Sequence, residues 1–124
     1  FRKIGDKSVL FDMAHTKRSI ENLINSLKAN FQGFDFIFLV SLMQGKDAGA
    51  ILKFISGNAE KIVYTNSHKI RGIKAQDLAN IVEGEVIEDL DLAYNSLFQE
   101  LKKDQVLVVT GSHFLVSKIL SKLS

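Results

Sequence analysis

Asp12 and His15 stand three residues apart in Phe11-Asp12-Met13-Ala14-His15-Thr16, just after an apolar run. A carboxylate and an imidazole at that spacing on one loop can reach one ligand, the first as acceptor and the second as acceptor, donor or proton carrier. A loop histidine also reads as a solvated or structural hydrogen-bonding group. The second feature is Thr110-Gly111-Ser112-His113, which follows another apolar run and leads into helical sequence. Gly111 permits close backbone approach there, and a helix start behind Ser112 would offer N–H groups to an anion. Gly-Ser also serves many strand-to-helix turns for their geometry alone.

Charged residues surround these two features. Thr16 is a helix N-cap candidate, with Lys17 and Arg18 in the first turn behind it. Two cations beside the positive end of a helix dipole are locally unfavourable, so either a bound anion offsets them or both point into screened solvent. Gln44-Gly45-Lys46-Asp47 could place charge over the same crevice, although Asp47 is also an ordinary helix-start acid. Thr65, Asn66, Ser67 and His68, then Arg71, follow a third apolar run, and Glu88 and Asp89 a fourth.

The elements that must position these residues follow from two alternating hydrophobic periods. Short β-branched and aromatic runs occur at Val9–Phe11, Phe36–Val40, Ile62–Tyr64, Val86–Ile87 and Val106–Val109. Runs without polar alternation suit strands buried on both faces of a parallel sheet. Between them, Ile20, Leu23, Ile24, Leu27 and Phe31 fall on one helical stripe. Ala48, Ile51, Leu52 and Ile55 repeat that spacing, as do Leu90, Ala93, Tyr94, Leu97, Phe98 and Leu101. Ala75–Val82 and Phe114–Leu123 complete the helices. Strand–helix alternation of this kind predicts an α/β domain with a mostly parallel sheet. Arg2–Lys7, turning at Gly5-Asp6, predicts a small N-terminal hairpin arm. In such sheets ligands bind beyond the carboxyl ends of the strands, where the polar and charged residues that follow each apolar run fall.

Composition narrows the function. The 124 residues carry 16 basic and 14 acidic side chains, a net charge of +2 without a basic run, so no nucleic-acid partner is expected. Cysteine is absent, which removes disulfides, thiolate catalysis and cysteine metal sites. No apolar run reaches the ~20 residues that span a bilayer, no signal peptide opens the chain, and a cytoplasmic protein without a membrane partner is expected. Three scattered histidines match no metal-ligand pattern. The sequence lacks G-x-x-x-x-G-K-[ST], G-x-G-x-x-G and G-x-S-x-G, so it cannot by motif bind and activate a nucleotide alone. It could complete a site built mainly by another domain.

The stretch Val9-Leu10-Phe11-Asp12-Met13-Ala14-His15 resembles the D-x-A-H-N-P signature opening the C-terminal domain of folylpolyglutamate and dihydrofolate synthases, within the Mur ligase superfamily. Gly45-Lys46-Asp47 is similar to that family's D-K-D turn. The stretch from Ser67 to Leu78 resembles its Arg-containing loop, and Val106–Val116 resembles its closing V-x-V-T-G-S-x-Y-L-V. The matches occur in order and span nearly the whole chain.

The resemblance implies a Rossmann-like sheet with helices on both faces, residues 1–124 forming one C-terminal-type domain of a longer chain. A larger N-terminal ATPase domain, absent here, would carry the phosphate loop and most of the ATP and Mg2+ contacts. Together the domains would form a folate or dihydropteroate acyl phosphate, which L-glutamate attacks. By the same resemblance Asp12 and His15 approach the nucleotide or reaction centre, and Ser112 with His15 holds glutamate. Thr16, Lys17, Lys46, Asp47, Arg71 and Gly111 rim the cleft. It implies no metal ligand and no complete catalytic set in this domain alone, and a monomer. Two departures stand out: Thr16-Lys17 replaces Asn-Pro, and Phe114 supplies the ring without the tyrosine hydroxyl. A ligase-derived domain that has lost catalysis is the alternative. A phosphoacceptor receiver fits poorly, because Asp12 stands alone and Thr65 and Thr110 occupy the positions of its aspartate and lysine.

Overall fold

A computed structural model describes residues 1–45, 47–67 and 70–123. Lys46 and His68 lie outside the described residues. The chain runs β1 (Arg2–Ile4), β2 (Lys7–Phe11), α1 (Lys17–Asn30), β3 (Asp35–Val40), α2 (Ala48–Ser56), β4 (Lys61–Tyr64), α3 (Ala75–Ile81), β5 (Glu85–Val86), α4 (Leu90–Glu100), β6 (Gln105–Thr110) and α5 (His113–Leu123). One sheet takes the order β1-β2-β6-β3-β4-β5. Every pairing in it is parallel except β1 with β2, the expected hairpin. Gly5 turns that hairpin at φ 63°.

Alternation along the strands divides the core in two. Phe36, Phe38 and Val40 of β3, with Val106 and Val108 of β6, point to one face and pack against α1, α2 and α3. Ile37 and Leu39, with Leu107 and Val109, point to the other and pack against α4 and α5. This is why the strands carry no polar alternation: both faces are covered. The helical stripes behave as their spacing requires, with Ile20, Leu23, Ile24 and Leu27 of α1 and Ala48, Ile51, Leu52 and Ile55 of α2 buried.

Strand order, which the periodicity does not contain, creates the crevice. The chain leaves β2 through α1 to β3, then continues outward through β4 to β5. It returns through α4 and inserts β6 between β2 and β3. The direction of winding reverses there, and the loops after β2, β3 and β6 diverge beyond the strand ends.

Candidate functional site

The loop after β2 is held by its own side chains. The Asp12 carboxylate accepts the Ala14 N–H at 2.8 Å, an Asx turn. The Asp12 N–H continues the sheet by donating to the Val109 carbonyl at 3.1 Å. His15 Nδ1 lies 2.9 Å from the Met13 carbonyl oxygen. A carbonyl has no hydrogen to give, so Nδ1 is the donor, and in the tautomer this selects Nε2 is the nitrogen able to accept. Thr16 then caps α1: its Oγ1 accepts the Ser19 N–H at 3.1 Å, and Ser19 Oγ accepts the Thr16 N–H at 2.9 Å. This is a capping box with serine as its third helical residue.

The loop after β6 turns tightly at Gly111. Its φ is +101°, and a Cβ there would stand 2.5 Å from the Ser41 carbonyl oxygen. Both facts require glycine. Its N–H donates to the Ala14 carbonyl at 3.0 Å, and Thr110 Oγ1 donates to the same oxygen at 3.2 Å. Ser112 is fully buried, and its Oγ accepts the Leu115 N–H at 3.4 Å at the start of α5.

The Arg71 segment is fixed against the loop after β3. Met43 and Gly72 form an antiparallel bridge. The Gln44 N–H donates to the Arg71 carbonyl at 2.7 Å, and the Ile73 N–H donates to the Leu42 carbonyl at 2.8 Å. Beneath them the hydroxyls of Ser41 and Ser67 hydrogen-bond one another. Asn66 caps α3 from a distance, its Oδ1 accepting the Ala75 N–H at 2.8 Å.

These loops enclose a cleft of about 470 Å3 lined by His15, Met43, Gln44, Arg71, Gly111, Ser112 and His113. Four residues singled out in the sequence as contact or rim positions meet there: His15, Arg71, Gly111 and Ser112. Among the described residues, Asp12, Thr16, Lys17 and Asp47 do not line it. Asp12 is half-buried within its turn, Thr16 is engaged in the cap, and Lys17 is exposed in the first turn of α1. Asp47 caps α2 by accepting the Ala50 N–H at 3.2 Å, the ordinary role open to it. Lys46 lies outside the described residues. Met43 lines the cleft without any signal in residue type or spacing, at a bridge to Gly72, 29 residues on in the chain.

The cleft combines a guanidinium, the N-terminal end of an 11-residue helix and an imidazole with a defined acceptor nitrogen. The first two favour an anionic group and the third a donor, a combination suited to a small zwitterion such as an amino acid. Among the described residues no three His, Asp or Glu converge. A second cleft, about 240 Å3 at the opposite end of the sheet, is lined by Glu60, Lys61, Glu100 and Gln105 among others. Lys61 is already paired with Glu85 at 3.2 Å, and the cleft lies at strand N-termini, away from the crevice.

The fold and the position of the crevice define a Rossmann-like α/β domain, mostly parallel, with its site at a topological switch point. Residues 1–113 match the Mur ligase, glutamate ligase domain family, and the chain belongs to that family. No curated protein matches it in sequence. Among solved structures, E. coli FolC in complex with DHPP and ADP is similar with a TM-score of 0.90 and 19% identity, over 99% of this chain and 30% of that one. A bifunctional folylpolyglutamate synthase/dihydrofolate synthase with Mn, AMPPNP and L-glutamate bound gives 0.88 at 24% identity, over 95% and 29%. The Mycobacterium tuberculosis folylpolyglutamate synthase complexed with ADP gives 0.75 at 20%, over 93% and 29%. At these identities the likeness is one of fold. The chain spans about 30% of the length of these structures. No helix among the described residues is long and apolar enough to cross a membrane.

Proposed function

We propose that residues 1–124 are the C-terminal domain of an ATP-dependent folylpolyglutamate or dihydrofolate synthase, acting in the cytoplasm as a monomer. The observation that carries this reading is the cleft uniting His15, Arg71 and the Gly111-Ser112 turn, in a chain of the glutamate ligase domain family. An N-terminal ATPase domain of the longer protein binds ATP and Mg2+ and forms the acyl phosphate of a folate or dihydropteroate carboxylate. This domain contains neither a phosphate loop nor a convergent metal-ligand set among its described residues, and no step of the phosphorylation is assigned to it.

Its own task is to hold L-glutamate and to close over the reaction centre. Arg71, at the rim, and the N-terminus of α5 draw a glutamate carboxylate, with Ser112 at the turn between them. His15 Nε2 accepts a hydrogen bond from the amino group and so orients it toward the acyl carbon. The lone pair of the free amine forms the amide bond, the acyl–oxygen bond breaks with its electron pair leaving on inorganic phosphate, and the nitrogen gives up a proton to that departing phosphate. Fixing the amine in line is a proximity effect, and domain closure protects a hydrolysable acyl phosphate from water. Asp12 shapes the loop by holding the Ala14 N–H.

The longer protein, supplied with ATP, Mg2+, glutamate and either dihydropteroate or a reduced folate, is expected to release phosphate only when both carboxylate and glutamate are present. Phosphate release independent of glutamate, or absence of product with every folate tried, contradicts the reading. One observation favours a domain without ligation: the Thr16 hydroxyl, where the family carries an asparagine amide, is committed to Ser19. Complementation of a ligase-deficient strain separates the two readings.

A further inference from the structure

Thr110 is buried in a strand end and does not line the cleft, yet its side chain bonds to the loop that carries His15. Its hydroxyl donates to the Ala14 carbonyl at 3.2 Å, and the adjacent Gly111 N–H donates to the same oxygen at 3.0 Å. Ala14 is itself buried, and its carbonyl oxygen takes both donors, as its two lone pairs allow. The next residue along is His15, whose ring is fixed in turn by the Met13 carbonyl and whose N–H donates to Ser19 Oγ at 3.1 Å. Two donors from β6 and its turn therefore set where the β2 loop sits relative to Ser112.

We infer that Thr110 is a positioning residue whose hydroxyl clamps the Ala14 carbonyl and so sets His15 against the Gly111-Ser112 turn. For ligation this rests on the proposed role of His15 and Ser112; the clamp itself does not. A single backbone donor at 3.0 Å leaves the carbonyl free to swing about the N–H···O axis. A second donor, reaching the same oxygen from a side chain, removes that freedom. Valine at position 110 preserves volume and burial while deleting the donor, and the Ala14 carbonyl would still be satisfied by Gly111. The defect expected of Thr110→Val is accordingly one of position rather than of folding.

The test compares Thr110→Val with Thr110→Ser by amide hydrogen exchange of this chain. In Thr110→Val the Gly111 and His15 amides are expected to exchange about tenfold faster, the size of one lost hydrogen bond. Val108 and Leu39, deep in the sheet, report global opening and are expected to change far less. Thr110→Ser is expected to restore the loop amides to within about twofold of the unsubstituted chain. Equal acceleration of loop and core amides would mean general destabilisation and overturn the clamp. So would unchanged loop amides in Thr110→Val, or a serine variant as fast as the valine one. In the longer protein, Thr110→Val is expected to raise the KM for glutamate about tenfold with kcat nearly unchanged, and Thr110→Ser to reverse this. An unchanged KM would remove the link from clamp to substrate while the exchange result stood. A parent without ligase activity would instead defeat the proposed function and leave the exchange result as the measure of the clamp.

Discussion

The backbone of Gly111 donates to the carbonyl of Ala14 at 3.0 Å, joining the loop after the first core strand to the turn after the last. Those two segments carry His15 and Ser112, so a backbone bond between distant parts of the sequence ties together two loops that line the cleft. It forms because β6 lies beside β2 in the sheet, with Phe11 opposite Val109. The register of that pair brings the two loops out side by side.

Gly111→Ala is the substitution that this junction tolerates least. It places a Cβ 2.5 Å from the Ser41 carbonyl oxygen, in a backbone conformation at φ +101° that L residues rarely adopt. Backbone strain and overpacking together are expected to cost about 3 kcal/mol or more. Chemical denaturation checks this through the unfolding midpoint. Gly49→Ala is the control, since a Cβ there meets nothing within 4 Å and that glycine lies inside α2. Its replacement is expected to be stabilising by up to about 1 kcal/mol.

Thr16 separates capping from ligand contact. Thr16→Ala deletes the acceptor for the Ser19 N–H and is expected to cost about 1 kcal/mol of stability. Thr16→Asn keeps a cap-forming side chain and should stay within about 0.5 kcal/mol of the parent. It also restores the amide found in the resembling family. If the longer protein is a ligase, Thr16→Asn is expected to raise its turnover, up to about tenfold for one regained hydrogen bond. Thermal melts and product formation on the same three proteins check both halves.

Two buried tyrosines are expected to respond oppositely to removal of the hydroxyl. Tyr64 donates to the Val82 carbonyl at 2.8 Å, and burial pushes its hydroxyl up to about 12. Between pH 10 and 12 the unfolded chain loses this proton while the folded chain keeps it. The unfolded state then binds fewer protons, so stability falls as pH rises through that window. Tyr64→Phe is expected to cost about 1 kcal/mol at pH 7 and to flatten the alkaline decline. Tyr94, stacked on Phe98 at 5.9 Å, has a buried hydroxyl without a partner among the described residues. Tyr94→Phe is expected to be neutral or stabilising by up to about 1 kcal/mol. Denaturation at pH 7 and across pH 9–12 checks the pair.

Much of this architecture is legible from one-dimensional period. Ile20, Leu23, Ile24 and Leu27 announce the buried stripe of α1, and the unbroken run Phe36–Val40 announces a strand covered on both faces. The hairpin follows from Gly5-Asp6, and the Thr16 cap from its residue type. What period cannot carry is which distant segments meet. Asn66 caps α3 nine residues away, and Met43 enters the cleft through its bridge to Gly72. Asp12 has the composition of a ligand contact, but its carboxylate faces the Ala14 N–H and stays out of the cleft lining. Its local hydrogen bond is an Asx turn, which sequence spacing alone does not distinguish from an exposed acid.

The most direct test of the account is the glutamate dependence of ligation by the longer protein carrying His15→Ala. If the cleft at the carboxyl ends of β2 and β6 holds the incoming amino acid, the KM for glutamate rises at least about tenfold, the loss expected of one oriented hydrogen bond. A KM for glutamate within about twofold of the parent value would contradict it.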